Sequence, residues 1–251
     1  MTQSNSHEPG NVKRRTIITG AAWTIPVVAV ATTAPFASAS PCSQLYDGTL
    51  RVTTGVAGGT NYTRTSPTAG AATIPLTGAP ATVAPVGFTA SSVFTADYAA
   101  ATNTDTTPRN LQTGANGLAL FQVRTGASAS NANGQTVTLT FDRPVQNLRF
   151  DLKGFTWPAD NTYRDVANIS PAPTSVTTLG SQVSGTGSAA SPWQAAVVQT
   201  NPAVSTANSV NGIFYAGPIQ TITVHYYSST TLTTNVPQAI YFSNMTFQAG
   251  C

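Results

Sequence analysis

Apolar and hydroxylated side chains alternate strictly through Thr136-Val137-Thr138-Leu139-Thr140-Phe141. Successive side chains of an extended chain point to opposite faces, so Val137, Leu139 and Phe141 share one face and the threonines the other. A helix would scatter the same residues around its circumference. The pattern returns in Asn147-Leu148-Arg149-Phe150-Asp151-Leu152 and in Thr221-Ile222-Thr223-Val224-His225-Tyr226. It returns again in Ala239-Ile240-Tyr241-Phe242, continuing to Met245-Thr246-Phe247. Weaker runs are Leu50–Thr54, Val86–Thr89, Leu118–Val123, Arg164–Ile169, Ser175–Leu179, Ala195–Gln199 and Gly212–Tyr215. Asp142-Arg143-Pro144-Val145-Gln146 is expected to be a turn between two of the strong runs. No window carries apolar residues at helical spacing. Short strands separated by Gly, Pro, Asn and Ser predict an all-β, antiparallel β-sandwich built as a single domain.

Composition agrees. Charged residues make up 8% of the 251, against about 25% in an ordinary soluble domain. Scarce Lys, Glu and Arg leave few strong helix formers for any surface. Hydrophobic residues reach 41%, which excludes the core-poor profile of a disordered chain. The softest stretch is 63–86, where Pro67, Pro75, Pro80 and Pro85 interrupt a Thr- and Ala-rich run. It reads as a long loop or an edge strand, since Pro cannot donate to a ladder. Residues 181–192 read as a second loop.

The first 39 residues read as a cleavable signal peptide. A polar start leads to Lys13-Arg14-Arg15, an apolar stretch follows from Ile17 to Val30, and Ala37-Ser38-Ala39 forms a cleavage pattern. The paired arginines before Thr16-Ile17-Ile18 fit the twin-arginine type; an ordinary secretory signal is the alternative. Cleavage leaves residues 40–251 as the β-sandwich domain, secreted or at the cell surface. Removing Lys13, Arg14, Arg15 and Glu8 from 11 basic and 8 acidic residues leaves a nearly neutral chain. That balance argues against nucleic acid as a partner, and beyond residue 40 no stretch is apolar enough to insert in a membrane.

An exported chain with an even number of cysteines normally pairs them. Cys42 and Cys251 are the two here, and their disulfide would clasp the ends of the domain. Free thiols or an intermolecular bridge are the alternatives.

The order of elements resembles a jelly-roll-like module of exported bacterial surface proteins. The resemblance spans about residues 117–247 and rests on Gly117-Leu118-Ala119-Leu120, Gly134 to Phe141, Pro144 to Leu152, Tyr163-Arg164-Asp165-Val166, Gly217 to Val224 and Ile240 to Phe247. The leader resembles those of many actinobacterial exported proteins. The family is mostly of unknown activity and carries an acidic turn after its central strand. Asp151 alone matches that turn, in Asp151-Leu152-Lys153-Gly154.

Few constellations carry chemistry. His225 is the single histidine after the leader, no Gly-x-Ser-x-Gly elbow exists, and a hydrolase triad therefore lacks its parts. One His and two paired Cys do not supply a zinc site. With no Glu after the leader, two-carboxylate glycoside cleavage depends on aspartates alone. The chain is therefore expected to be no enzyme and to need no cofactor. Hard oxygen ligands suit calcium, and Asp151, Asp160 and Asp165 are its candidate ligands. Pairing with Lys153 and Arg164, or an Asx turn at Asp160-Asn161, is the alternative use of these groups. Aromatic platforms for a sugar face are sought at Trp157, Tyr163 and Trp193, with core filling as the alternative. The expected function is a non-enzymatic extracellular interaction module, adhesive or glycan-binding, whose partner is a glycan or a surface protein. A structural envelope or matrix protein, or a carbohydrate-active enzyme, is the alternative.

Overall fold

A computed structural model describes residues 44–251 except 56, 96–97, 101–108, 125–132, 201–202 and 231–235. All of these belong to the unit Cys42–Cys251. The leader expected at 1–39 and Cys42 lie outside the described residues.

The strands in chain order are β1 (Tyr46–Leu50), β2 (Tyr62–Ser66), β3 (Ala69–Ile74), β4 (Leu76–Thr77), β5 (Val86–Thr95) and β6 (Tyr98–Ala100). Then come β7 (Thr113–Gly114), β8 (Gly117–Arg124), β9 (Gly134–Lys153), β10 (Asp165–Ser170), β11 (Ser175–Leu179) and β12 (Val183–Ser184). The last are β13 (Trp193–Ala195), β14 (Ser209–Tyr215), β15 (Ile219–Ser228), β16 (Pro237–Phe242) and β17 (Met245–Ala249). The described residues contain no helix, and hence none long and apolar enough to cross a membrane. The all-β expectation therefore holds.

Every pairing between these strands is antiparallel, and they form two sheets. The first runs β2-β3-β5-β9-β15-β10-β13-β12. In the second, β11 and β14 lie on one side of β9, and β17, β1 and β4 on the other. Beyond β17 on that same side, β16, β8, β6 and β7 continue from the end of β9.

The twenty residues of β9 thus belong to both sheets, and the turn expected at Asp142–Gln146 is absent. The chain changes sheet there without reversing. Against β15 the register shifts between Ile219 opposite Val145 and Thr221 opposite Thr140, so Asp142–Pro144 bulge out of that ladder. A bulge is one of the few places in a sheet that tolerates Pro. A second irregularity lies at Asn147, whose φ is +52°, a conformation Asn adopts more readily than most residues. It restores phase. Val137, Leu139, Phe141 and Val145 face the core before it, and Leu148, Phe150 and Leu152 face the core after it.

The core between the sheets is apolar along most of its length. Tyr62, Phe88, Phe141 and Phe247 form a line of edge-to-face rings with centroids 6.3, 5.3 and 5.1 Å apart. Of the stretch 63–86, read as a long loop or an edge strand, β2 is an edge strand and β3 lies inside the sheet between β2 and β5. The prolines fall outside β2, β3 and β5, so the ladder loses no donor to them.

Candidate functional site

Trp193 is 1% exposed. It belongs to β13, pairs with Ala167 of β10 and fills the core. Of the two uses named for Trp193, platform and core filling, the structure places it in the second: strand alternation turns this indole inward. Trp157 and Tyr163 lie on the connection between β9 and β10 and are both partly exposed. The Trp157 indole donates Nε1–H to Asn161 Oδ1 at 2.6 Å. The Arg164 guanidinium lies 4.4 Å from its ring centroid, so one face is occupied by a cation.

The base of this connection is pinned at Thr156 and Asp165. Asp165 N–H donates to Thr156 O at 2.9 Å. Asp165 Oδ2 accepts the Thr156 backbone N–H and hydroxyl, each at 2.8 Å, and Oδ1 accepts the Tyr226 hydroxyl at 2.6 Å. Asp165 is fully buried. Burial pushes its pKa up to about 7, against the pull of the three donated hydrogen bonds. The Tyr163 hydroxyl lies 3.1 Å from Thr156 Oγ1. Burial, with Asp165 nearby, pushes the Tyr163 phenol up to about 12.

The structure does not bring together Asp151, Asp160 and Asp165, the candidate calcium ligands. Among the described residues no three His, Cys, Asp or Glu side chains are grouped to hold a metal ion. Asp165 spends its oxygens inside the fold. Asp160 Oδ1 accepts the Thr162 backbone N–H and hydroxyl, at 3.2 and 2.9 Å, in an Asx turn. Asp151 Oδ1 accepts Gly212 N–H at 2.8 Å, and Oδ2 lies 3.6 Å from Lys153 Nζ. Three different local structures claim the three carboxylates. His225, on the outer face of β15, is 3.2 Å from Thr136 Oγ1.

A concavity lined by aromatic and polar side chains lies elsewhere, on the outer face of the second sheet over β8 and β16. It is a groove of about 290 Å³ lined by Arg109, Gln112, Asn116, Ala119, Phe121 and Tyr241 among others. Alternation builds it. Leu118 and Leu120 point inward from β8, which turns Ala119 and Phe121 outward. Ile240 and Phe242 point inward from β16, which turns Tyr241 outward. Tyr241 stands opposite Ala119, and Phe121 opposite Ala239, so each ring has a small neighbour across the ladder and space beside it.

The polar wall comes from the segment before β8. Leu111 N–H donates to Ala119 O at 2.8 Å and Ala119 N–H donates to Gln112 O at 3.0 Å, which docks the segment along β8. Gly117 closes the β7–β8 turn with φ +122°, and a Cβ there would collide with the Phe242 carbonyl. Only Gly fits that approach. Burial raises the Tyr241 phenol, and the Asp165 carboxyl raises it further.

Ala115 and Asn116 also line a second cavity of about 250 Å³, with Asp151, Lys153, Ser205 and Asn211 on its other side. The two cavities thus adjoin. One holds the aromatic rings and the other offers hydroxyl, amide, ammonium and carboxylate groups. Sequence reasoning did not single out Tyr241 or Phe121. The signal was present: each is an aromatic out of phase with the buried residues of its own strand.

Comparison with protein-family models, with curated proteins and with solved structures finds no match to this chain.

Proposed function

We propose that this chain is an exported, non-enzymatic interaction module that binds a glycan in the Tyr241 groove. One observation carries the reading: partly exposed aromatic rings line the same groove as the side chains of Arg109, Gln112 and Asn116. A pyranose has an apolar face that packs on a ring, and its hydroxyls both donate and accept hydrogen bonds. The adjoining polar cavity extends the set of donors and acceptors without adding a cation cluster or a metal site. The non-catalytic reading draws support from the carboxylates. Asp151 is hydrogen-bonded and close to Lys153, and Asp165 is sealed in the core, so neither is poised as the second member of a pair across a bond.

The jelly-roll-like topology, the twin-arginine leader and a Cys42–Cys251 clasp belong to the same proposal. The clasp is supported by the register of β1 on β17, where Tyr46 stands opposite Ala249, and by Cys251 not being a free thiol. A glycan array probed with the purified protein, with and without calcium, tests the function. Binding to a defined sugar family, unaffected by calcium, is the expected result. Absence of any bound sugar in both conditions would remove the glycan reading and leave a structural envelope protein.

A further inference from the structure

The inter-sheet core changes character along its length. On β8 the inward series Leu118, Leu120 continues into Gln122 and Arg124; on β16 the series Phe242, Ile240 continues back to Gln238. Across the core, the series Phe141, Leu139, Val137 of β9 continues back to Gln135. None of Gln122, Arg124, Gln135 and Gln238 is more than 3% exposed.

They share one neighbourhood. Gln122 stands directly opposite Gln238 in the β8–β16 ladder. Gln135 Nε2 donates to Asn110 Oδ1 at 2.6 Å, and that same oxygen accepts the N–H of Phe121, next to Gln122. Arg124 sits one inward position beyond Gln122 and gives Nη1–H to Thr230 O.

Among the described residues, five polar atoms of these four side chains find no hydrogen-bond partner: Gln122 Nε2 and Oε1, Arg124 Nη2, Gln135 Oε1 and Gln238 Oε1. Buried polar groups of native proteins are paired with protein or with ordered water, and leaving them dry is costly. The chemistry of the free positions selects the occupant. Two are donors and three are acceptors. A cation would face the Arg124 guanidinium, and an anion would face three amide oxygens. A small neutral molecule that both donates and accepts suits the set.

We infer that this polar end of the core is a binding site for at least two buried water molecules, bridging Gln122, Arg124, Gln135 and Gln238 between the sheets. Each buried water makes about three hydrogen bonds, so five open positions call for about two molecules. Roughly one buried water per 27 residues is usual, so such a pair is ordinary in number and distinctive in place.

A crystal structure of the purified protein, at a resolution that shows ordered solvent, tests this. Two or more solvent peaks within about 3.2 Å of those five atoms are expected. Water-to-amide NOEs to the Gln122 side chain should accompany them. In the double variant Gln122→Leu and Gln238→Leu the peaks between β8 and β16 should be lost. Finding the wild-type atoms dry, or all bonded to protein groups, would overturn the inference whether or not the variant folds.

Discussion

Asp165 begins β10 with no accessible surface and no cationic partner among its hydrogen-bonding groups. Its three contacts are all donors, which favour the carboxylate, yet burial outweighs them and holds the pKa near 7 rather than 3.8. Between those values the folded chain keeps a proton that the unfolded chain has released. Stability from this group is therefore full below about pH 4, declines as pH rises to 7 and is gone above it. The span corresponds to something of the order of 4 kcal/mol. Asp165→Asn removes the titration, so the difference in unfolding free energy between wild type and variant should change with pH across 4–7. Chemical denaturation at several pH values measures it, and a constant difference would show that Asp165 stays ionised. At Trp193 the argument is simpler. Trp193→Ala empties a core position of the first sheet and should cost about 3–5 kcal/mol, read as a lower denaturation midpoint. Sugar affinity should survive in whatever fraction folds, because the indole does not line the groove.

Strands were legible in the sequence wherever one face is buried. The Val86–Thr89 run lies within β5, and Thr221–Tyr226 lies within β15. What failed at this scale was the link between elements. Pro144 with flanking Asp142 and Arg143 reads as a turn, because local chemistry does not reveal that β15 and β17 continue the ladder on either side of it. The β8–β16 pair shows the same limit from the other direction. Tyr241 and Phe121 were visible as out-of-phase aromatics, but the groove beside them depends on Ala119 and Ala239 lying opposite, which is a matter of register. Trp157 and Tyr163 stood out as loop aromatics, yet Arg164 and Thr156 engage them. The three aspartates were close in sequence and separated by local turns and ladders. Gly117 carries a prediction here. Gly117→Ala places a Cβ against the Phe242 carbonyl and strains a backbone at φ +122°, so it should destabilise the fold by more than about 1 kcal/mol. Thermal unfolding reads this as a lower Tm. A Tm equal to wild type would mean that β7, β8 and β16 do not meet as described.

For the whole molecule, the antiparallel pairing of β1 with β17 brings the two ends of the domain side by side. A Cys42–Cys251 clasp there would close a loop of nearly the whole domain, for which the chain-entropy estimate is roughly 5 kcal/mol. Non-reducing mass spectrometry should find the two cysteine peptides joined within one chain, and reduction should lower the Tm markedly. A free Cys251 or a linked dimer would contradict the clasp. Scarce charge leaves most of the surface to hydroxyl and amide groups, and the paired cavities over β8, β16 and β9 combine such groups with Arg109, Asp151 and Lys153. The most direct test is titration of the purified protein, wild type and Tyr241→Ala, with the best-bound sugar from the array. Wild type should bind, and the variant should lose roughly 5- to 150-fold in affinity, taking the about 1–3 kcal/mol of a base stacked on an aromatic ring as the scale, while still folding cooperatively. Equal affinity of the two proteins would contradict the assignment of the Tyr241 groove as the binding site.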